Sequence, residues 1–221
     1  AYAIVNGLVG SDMCIRDSLK CFISTGSPLS PETFKFMNKK LNSKSLIHSV
    51  SGGTDIVSCF MLGVPTLPVY AGEIQGPGLG MNIDIFNEKG KSTKSTGELV
   101  CKTPFPSKPV YFWNDKNFSK YKSAYFNKFK NIWSHGDYVK KTVNGGYIIY
   151  GRSDATLNPG GVRIGTGEIY NSLQKFDWIA DCLATGFITD NDEKIILFLK
   201  LTLTKRPHNF EETIKKHLKS T

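Results

Sequence analysis

The sequence contains no run of apolar residues long enough to cross a bilayer, although apolar types fill an ordinary 40% of its 221 positions. That leaves material for one substantial core or two small ones. It has no C-x-x-C pair either. Cys14, Cys21, Cys59, Cys101 and Cys182 are scattered and odd in number, which argues against a disulfide frame or a zinc site and predicts reduced thiols in a cytoplasmic chain. Internal repeats and low-complexity tracts are also missing, which sets aside repeat arrays. Ala1–Val9 lacks a basic start and has too short an apolar core for a signal peptide.

Acidic residues are scarce beside basic ones, 19 against 28, for a net charge of +9. Between Lys102 and Lys141, only Asp115 and Asp137 oppose Lys108, Lys116, Lys120, Lys122, Lys128, Lys130 and Lys140. Aromatics from Tyr111 to Trp133 interleave with them. Such a surface can stack bases and neutralise phosphates. No nucleic-acid motif accompanies it, so the expectation is a solvated helical face with its aromatics turned inward and no nucleic-acid partner.

The stretch of greatest chemical interest is Gly151–Tyr170, GRSDATLNPGGVRIGTGEIY. A strand-like run ends before it and a helix starts within it. Arg152 and Arg163 can grip phosphate or ribose oxygens with fork-shaped donors, and Gly160-Gly161 admits a close neighbour. A polar interdomain loop with solvated charges is the other reading, and both are open at this point.

Residues 1–18 look foreign to the rest: Gly10–Ser18 has neither periodicity nor turn logic, so Met13, Cys14 and Arg16 carry no expected function. Beyond them, a short apolar run at Cys21–Ser24 meets the turn Thr25–Leu29. Ser30 then caps a helix with Pro31 and Glu32 in its first turn and Phe34, Met37 and Leu41 on one face. A strand at Ser45–Val50 delivers a glycine turn, Ser51-Gly52-Gly53-Thr54-Asp55. There Thr54 can bond phosphate and Asp55 can bind Mg²⁺, or Thr-Asp can simply cap a helix. Strands are expected at Leu79–Phe86, Gly97–Lys102, Val110–Trp113, Ile132–Val139 and Tyr147–Gly151, with a helix over Phe118–Phe129. Next come a helix at Gly167–Phe176, strands at Cys182–Ile188 and Ile195–Leu203, and a last helix after Asn209 with Phe210, Ile214 and Leu218 on one face.

Three of these stretches, in this order, resemble the adenylate-forming acyl-CoA synthetase superfamily: SGGTD at Ser51–Asp55, WSHGD at Trp133–Asp137 and the long Gly151–Tyr170 motif. TGSPLSPE at Thr25–Glu32 and GEL at Gly97–Leu99 add support. In detail, SGGTDI and LNPGGVRIGTGEIY are most like the acetoacetate-activating branch. The resemblance implies an α/β plus α+β fold. Residues 19–153 would be the C-terminal part of a large nucleotide-binding domain, an α/β piece with an antiparallel barrel or sheet. Residues 154–221 would be an incomplete α+β lid.

It also implies a two-step reaction: ATP and acetoacetate give an acyl-adenylate and pyrophosphate with Mg²⁺, and CoA then takes the acyl group and releases AMP. Gly53 and Thr54 would border the nucleotide, Thr54 on phosphate, with Asp55 on Mg²⁺. Asp137 would accept the ribose hydroxyls, and Arg152 would hold the nucleotide near them. Asp154 would be the hinge, Arg163 would meet ATP phosphates, and Gly161 would line the CoA path. Ser27 and Pro28 would lie in one wall of the adenine pocket. No covalent nucleophile is needed; the chemistry is positioning and charge stabilisation.

Three departures stand out. Ser51 occupies the place of an adenine-stacking aromatic, Asp55 that of a longer Glu, and His135 that of a Thr and is given no catalytic role. The phosphate-gripping loop and the near-C-terminal catalytic lysine of the family are not found, so the expectation is an incomplete, inactive piece of such a ligase. Alternatives are a ligase for acetate or propionate, and a non-catalytic adenine-nucleotide-binding module.

Overall fold

A computed structural model describes residues 19–41, 45–157, 159, 164–188, 193–202 and 208–220. The expected foreign head at 1–18, and with it Cys14, lies outside them, as do Gly161 and Arg163. The chain divides into two compact units, Ala1–Ile149 and Tyr150–Thr221.

The first unit opens with strand β1 (Cys21–Ser24), helix α1 (Pro31–Lys40) and strand β2 (Leu46–Ser49). The two strands pair in parallel, Cys21 opposite Leu46 through Ser24 opposite Ser49. α1 forms where the sequence signals it: the Ser30 hydroxyl accepts the Thr33 N–H, and Pro31 and Glu32 occupy the first turn. Phe34 and Met37 are buried against Ile47.

An antiparallel trio follows: β3 (Ser51–Gly53), β4 (Ser58–Leu62) and β5 (Gly76–Pro77). A second sheet runs in the order β6 (Ile83–Phe86), β7 (Gly97–Cys101), β8 (Trp133–Lys141), β9 (Tyr147–Arg152). β6–β7 and β7–β8 are antiparallel. Phe60, Met61, Leu99, Val139 and Trp133 are sealed from water in the shared core. Each side chain of this size contributes about 1.5–3 kcal/mol when fully buried.

Several expectations are corrected here. Ser51-Gly52-Gly53 is a strand, and the turn comes one step later, as the 3₁₀ turn Thr54–Ile56. Gly53 precedes that turn with no side-chain cap, so a Thr-Asp cap is also ruled out. The strand expected from Leu79 starts at Ile83, because Gly80 adopts φ +78° and the Met81 N–H closes a turn on Gly78. Val110–Trp113 forms no strand: Val110 and Trp113 stand in solvent, and a turn closes from Asp115 onto Phe112.

The helix expected over Phe118–Phe129 contracts to α2 (Ser119–Tyr125), preceded by Phe118 in the left-handed region. The Asp115 carboxylate collects the N–H groups of Lys120 and Tyr121 and the Ser119 hydroxyl. The aromatics of this lysine-rich segment divide. Tyr121, Phe129 and Trp133 are buried, whereas Tyr111, Trp113 and Phe118 are exposed.

The second unit is helix α3 (Thr166–Leu173), strands β10 (Ile179–Ile188) and β11 (Glu193–Leu201), and helix α4 (Phe210–Ser220). The strands are antiparallel, with Leu183 opposite Phe198. Ile169, Leu173, Trp178, Ala184 and Ile214 form its core, with Phe210 and Leu218 packed against it. Both glycines of Gly165-Thr166-Gly167 are dictated by space: a Cβ on either would stand 2.5–2.6 Å from the Tyr150 carbonyl oxygen. The alternation of helix, two strands and helix is the one read from periodicity.

Candidate functional site

β2 runs into β3 beside the end of β1, where the Val50 N–H donates to the Ser24 carbonyl. Ser27 and Pro28 sit in the exposed turn that leaves β1 at that level, opened by Gly26 at φ +89°.

In β3, Gly52 is forced by close approach: a Cβ there would lie 2.0 Å from the Ser58 carbonyl oxygen of β4. Thr54 and Asp55 then emerge exposed on the 3₁₀ turn. Its last amide, from Val57, returns to the Thr54 carbonyl with Val57 at φ 47°. A β-branched residue held left-handed is strained, and nothing packs on it, since Val57 is 90% exposed. The Asp55 carboxylate accepts the Tyr125 hydroxyl at 2.5 Å. The Tyr125 ring in turn stacks on Trp133 at 3.7 Å and 14°.

Asp137 stands on β8 just past Gly136, whose φ of 86° places it in glycine's territory. Here the β7–β8 register slips: Glu98 faces Tyr138 while Val100 faces Ser134. Such a bulge re-aims the side chains it carries. Glu98, 3% exposed, accepts the Gly136 N–H at 2.8 Å and binds Lys128 at 2.6 Å.

The bulge brings WSHGD against SGGTD. The Ser51 hydroxyl donates to Asp137 Oδ2 at 3.0 Å across 86 residues of sequence. His135 Nε2 lies 3.1 Å from the Gly52 carbonyl and 3.7 Å from the same Asp137 oxygen. The arrangement ties an ordered carboxylate to the strand that leads into an exposed Thr-Asp pair, donor and acceptor types that suit a polyhydroxylated, phosphorylated ligand.

Mg²⁺ is usually held by one or two carboxylates plus substrate phosphates. Asp55, exposed with one oxygen oriented by Tyr125, fits that pattern. Among the described residues no cluster of three or more His, Cys, Asp or Glu could hold a metal unaided. The half-buried Cys59 and the buried Cys101 are poor nucleophiles, since desolvation pushes both thiols above the ordinary 9.0.

In the second unit, Arg152 Nε lies 3.3 Å from Asp154 Oδ1, both well exposed, as the strand gives way to the 3₁₀ turn Ser153–Ala155. A pair in water is worth little to stability. Gly151 just before it adopts φ +123°, where no other residue is comfortable.

Sequence reasoning set His135 aside and gave Tyr125 and Lys128 no role. Glu98 was visible only as the middle of GEL. No local signal could have paired Tyr125 with Asp55. His48 is structural: its Nδ1 bonds Gln75 Oε1 at 2.7 Å, and the Gln75 amide donates to the carbonyls of Val64, Leu67 and Pro68.

No family model matches the chain. Among curated proteins it is 54% identical over 185 residues to acetoacetyl-coenzyme A synthetase of Rhizobium meliloti (strain 1021), covering 83% of the chain and 28% of that protein. It is 46% identical over 205 residues to acetoacetyl-CoA synthetase of Gallus gallus, covering 91% of the chain and 30% of the relative. Among solved structures it superposes on acetoacetyl-CoA synthetase from Streptomyces lividans with a TM-score of 0.80 and 36% identity. That match covers 92% of the chain and 31% of the solved structure.

Proposed function

From the premise that this chain is homologous to the acetoacetyl-CoA synthetases over most of its own length and about 30% of theirs, we propose that it carries the ribose- and phosphate-binding part of an acid–thiol ligase. The intact enzyme joins acetoacetate to the AMP moiety of ATP with release of pyrophosphate, and then passes the acyl group to the thiol of CoA with release of AMP. What supports this reading is the Ser51–Asp137 hydrogen bond, 3.0 Å long, which ties the Asp137 carboxylate to the strand that runs on into the exposed Thr54 and Asp55.

Each residue then has a task its chemistry suits. Asp137, an acceptor only, takes the ribose hydroxyl protons as hydrogen bonds. Thr54 donates its hydroxyl to a phosphate oxygen, and Gly53 keeps the chain beside it slim. Asp55 would hold Mg²⁺, which neutralises phosphate charge when bound. Ser27 and Pro28 border the base. Arg152 adds a guanidinium to the nucleotide, and Asp154 is the pivot about which the second unit, with Arg163 and Gly161, changes its neighbours between half-reactions. Catalysis on this plan is orientation plus charge stabilisation, with no enzyme-bound acyl group.

The test is calorimetric titration of the chain with AMP and with ATP–Mg²⁺, alongside Asp137→Asn. We expect binding that weakens at least about tenfold in the variant, since an amide offers one acceptor where the carboxylate offers two. Equal binding of AMP by both proteins overturns the assignment. ATP–pyrophosphate exchange dependent on acetoacetate, compared with acetate and propionate, separates the acetoacetate ligase from a ligase for shorter acids.

A further inference from the structure

His135 is buried, 7% exposed, beside the carboxylate assigned to ribose, yet the proposed chemistry gives it nothing to do. Its surroundings are specific. The Gly52 carbonyl 3.1 Å away can only accept, so Nε2 must carry the hydrogen. The ring lies edge-on to Phe60 at 4.7 Å. A Cβ at position 53 would come within 3.0 Å of the imidazole Cε1. A Cβ at the neighbouring Gly52 would stand 2.0 Å from the Ser58 carbonyl oxygen of β4. Neither glycine leaves room for a side chain, so β3 lies close to β4 and to the imidazole alike.

We propose that His135 is a positioning residue whose Nε2–H, donated to the Gly52 carbonyl, sets the spacing between the strand that ends in Thr54-Asp55 and the bulge that carries Asp137. Its functional consequence rests on the ribose–phosphate reading of that surface. Ser51 supplies the second link, from β3 to Asp137 Oδ2. At 3.7 Å from that oxygen, Nε2 is too far for a hydrogen bond of its own. A threonine at position 135 branches at Cβ and stops well short of Gly52, so it could not make this link. The imidazole provides the rigid ring between the two motifs.

The experiment compares wild type with His135→Gln, whose amide nitrogen can reach the same carbonyl, and His135→Phe, which keeps a ring against Phe60 and Gly53 but donates nothing. His135→Asn, polar but too short, stands in should the phenylalanine variant fail to fold. Three readouts are taken on the chain. Nitrogen-15 shifts in wild type should show Nε2 protonated at neutral pH. Amide exchange over 52–55 without nucleotide should accelerate about tenfold in Phe or Asn and stay within about threefold of wild type in Gln, the range one hydrogen bond commands. AMP affinity should follow the same order.

An unprotonated Nε2, or exchange in the phenylalanine variant equal to wild type, overturns the proposal. If the exchange pattern appears but no protein binds AMP, the spacer stands and the nucleotide reading falls. If all bind AMP equally, the nucleotide reading stands and the positioning role falls.

Discussion

Replacing Lys128 with methionine should cost more than replacing its partner Glu98 with glutamine, although both changes break the same ion pair. The two ends differ in access to water. Glu98 is 3% exposed, whereas the Lys128 side chain is 38% exposed. Without its lysine, the carboxylate stays buried with the Gly136 N–H as its remaining donor in that bulge. Removing one partner of a buried pair costs about 3–5 kcal/mol; partial exposure of this pair lowers the expectation to about 2–3 kcal/mol.

In Glu98→Gln, the amide oxygen still receives the Gly136 N–H and the freed ammonium swings into water, for a loss of about 1 kcal/mol. The double variant should match Glu98→Gln alone, because methionine then leaves no buried charge behind. Urea unfolding followed through amide exchange of β7 and β8 isolates this unit from the second one. A methionine variant that loses less than the glutamine variant, or a double variant at the sum of the singles, would refute the view that Lys128 compensates a trapped carboxylate.

Val57→Gly should stabilise the first unit by about 0.5–1 kcal/mol, because relief of the left-handed strain outweighs glycine's extra unfolded-state freedom; a lower denaturation midpoint contradicts it. Gly52→Ala should lose about 2–4 kcal/mol and protection of the β3–β4 amides, since its methyl would meet the Ser58 carbonyl oxygen at 2.0 Å. Asp84 and Asp115 titrate below the ordinary 3.8. Burial pushes both up. It is outweighed at Asp84 by Lys102, the Ile85 N–H and the Ser92 hydroxyl, and at Asp115 by the N–H groups of Tyr121 and Lys120 and by Ser119. Folded values below the unfolded ones contribute stability above pH 3.8 that is lost as pH falls through them. Asp115→Asn should accordingly flatten the stability profile below about pH 4, and an unchanged slope counts against the cap.

What could be read locally was read well where a signal and its partner lie within one turn. Ser30-Pro31-Glu32 announces α1, and the spacing of Phe210, Ile214 and Leu218 lays one face of α4 on its core. Val110–Trp113 has the apolar character of a strand but forms none, because apolar character is not burial: Val110 and Trp113 face water. The helix over Phe118–Phe129 was drawn too long because its aromatics pack on separate neighbours instead of one helical stripe. Tyr121 and Phe126 meet the Trp133 cluster, while Phe129 meets Phe86.

By itself, then, the order of amino acids determined most of the alternation of elements and carried the three spaced motifs through which the chain resembles acetoacetyl-CoA synthetases. Only the folded chain decided that Ser51 grips Asp137, that Tyr125 reaches Asp55, and that Glu98 and His135 secure the bulge between them. Periodicity records which face of an element is apolar. It holds no information about which carbonyl or carboxylate will face that element from a strand some 70 or 80 residues away, and hydrogen bonds are decided by such separations to within a fraction of an ångström.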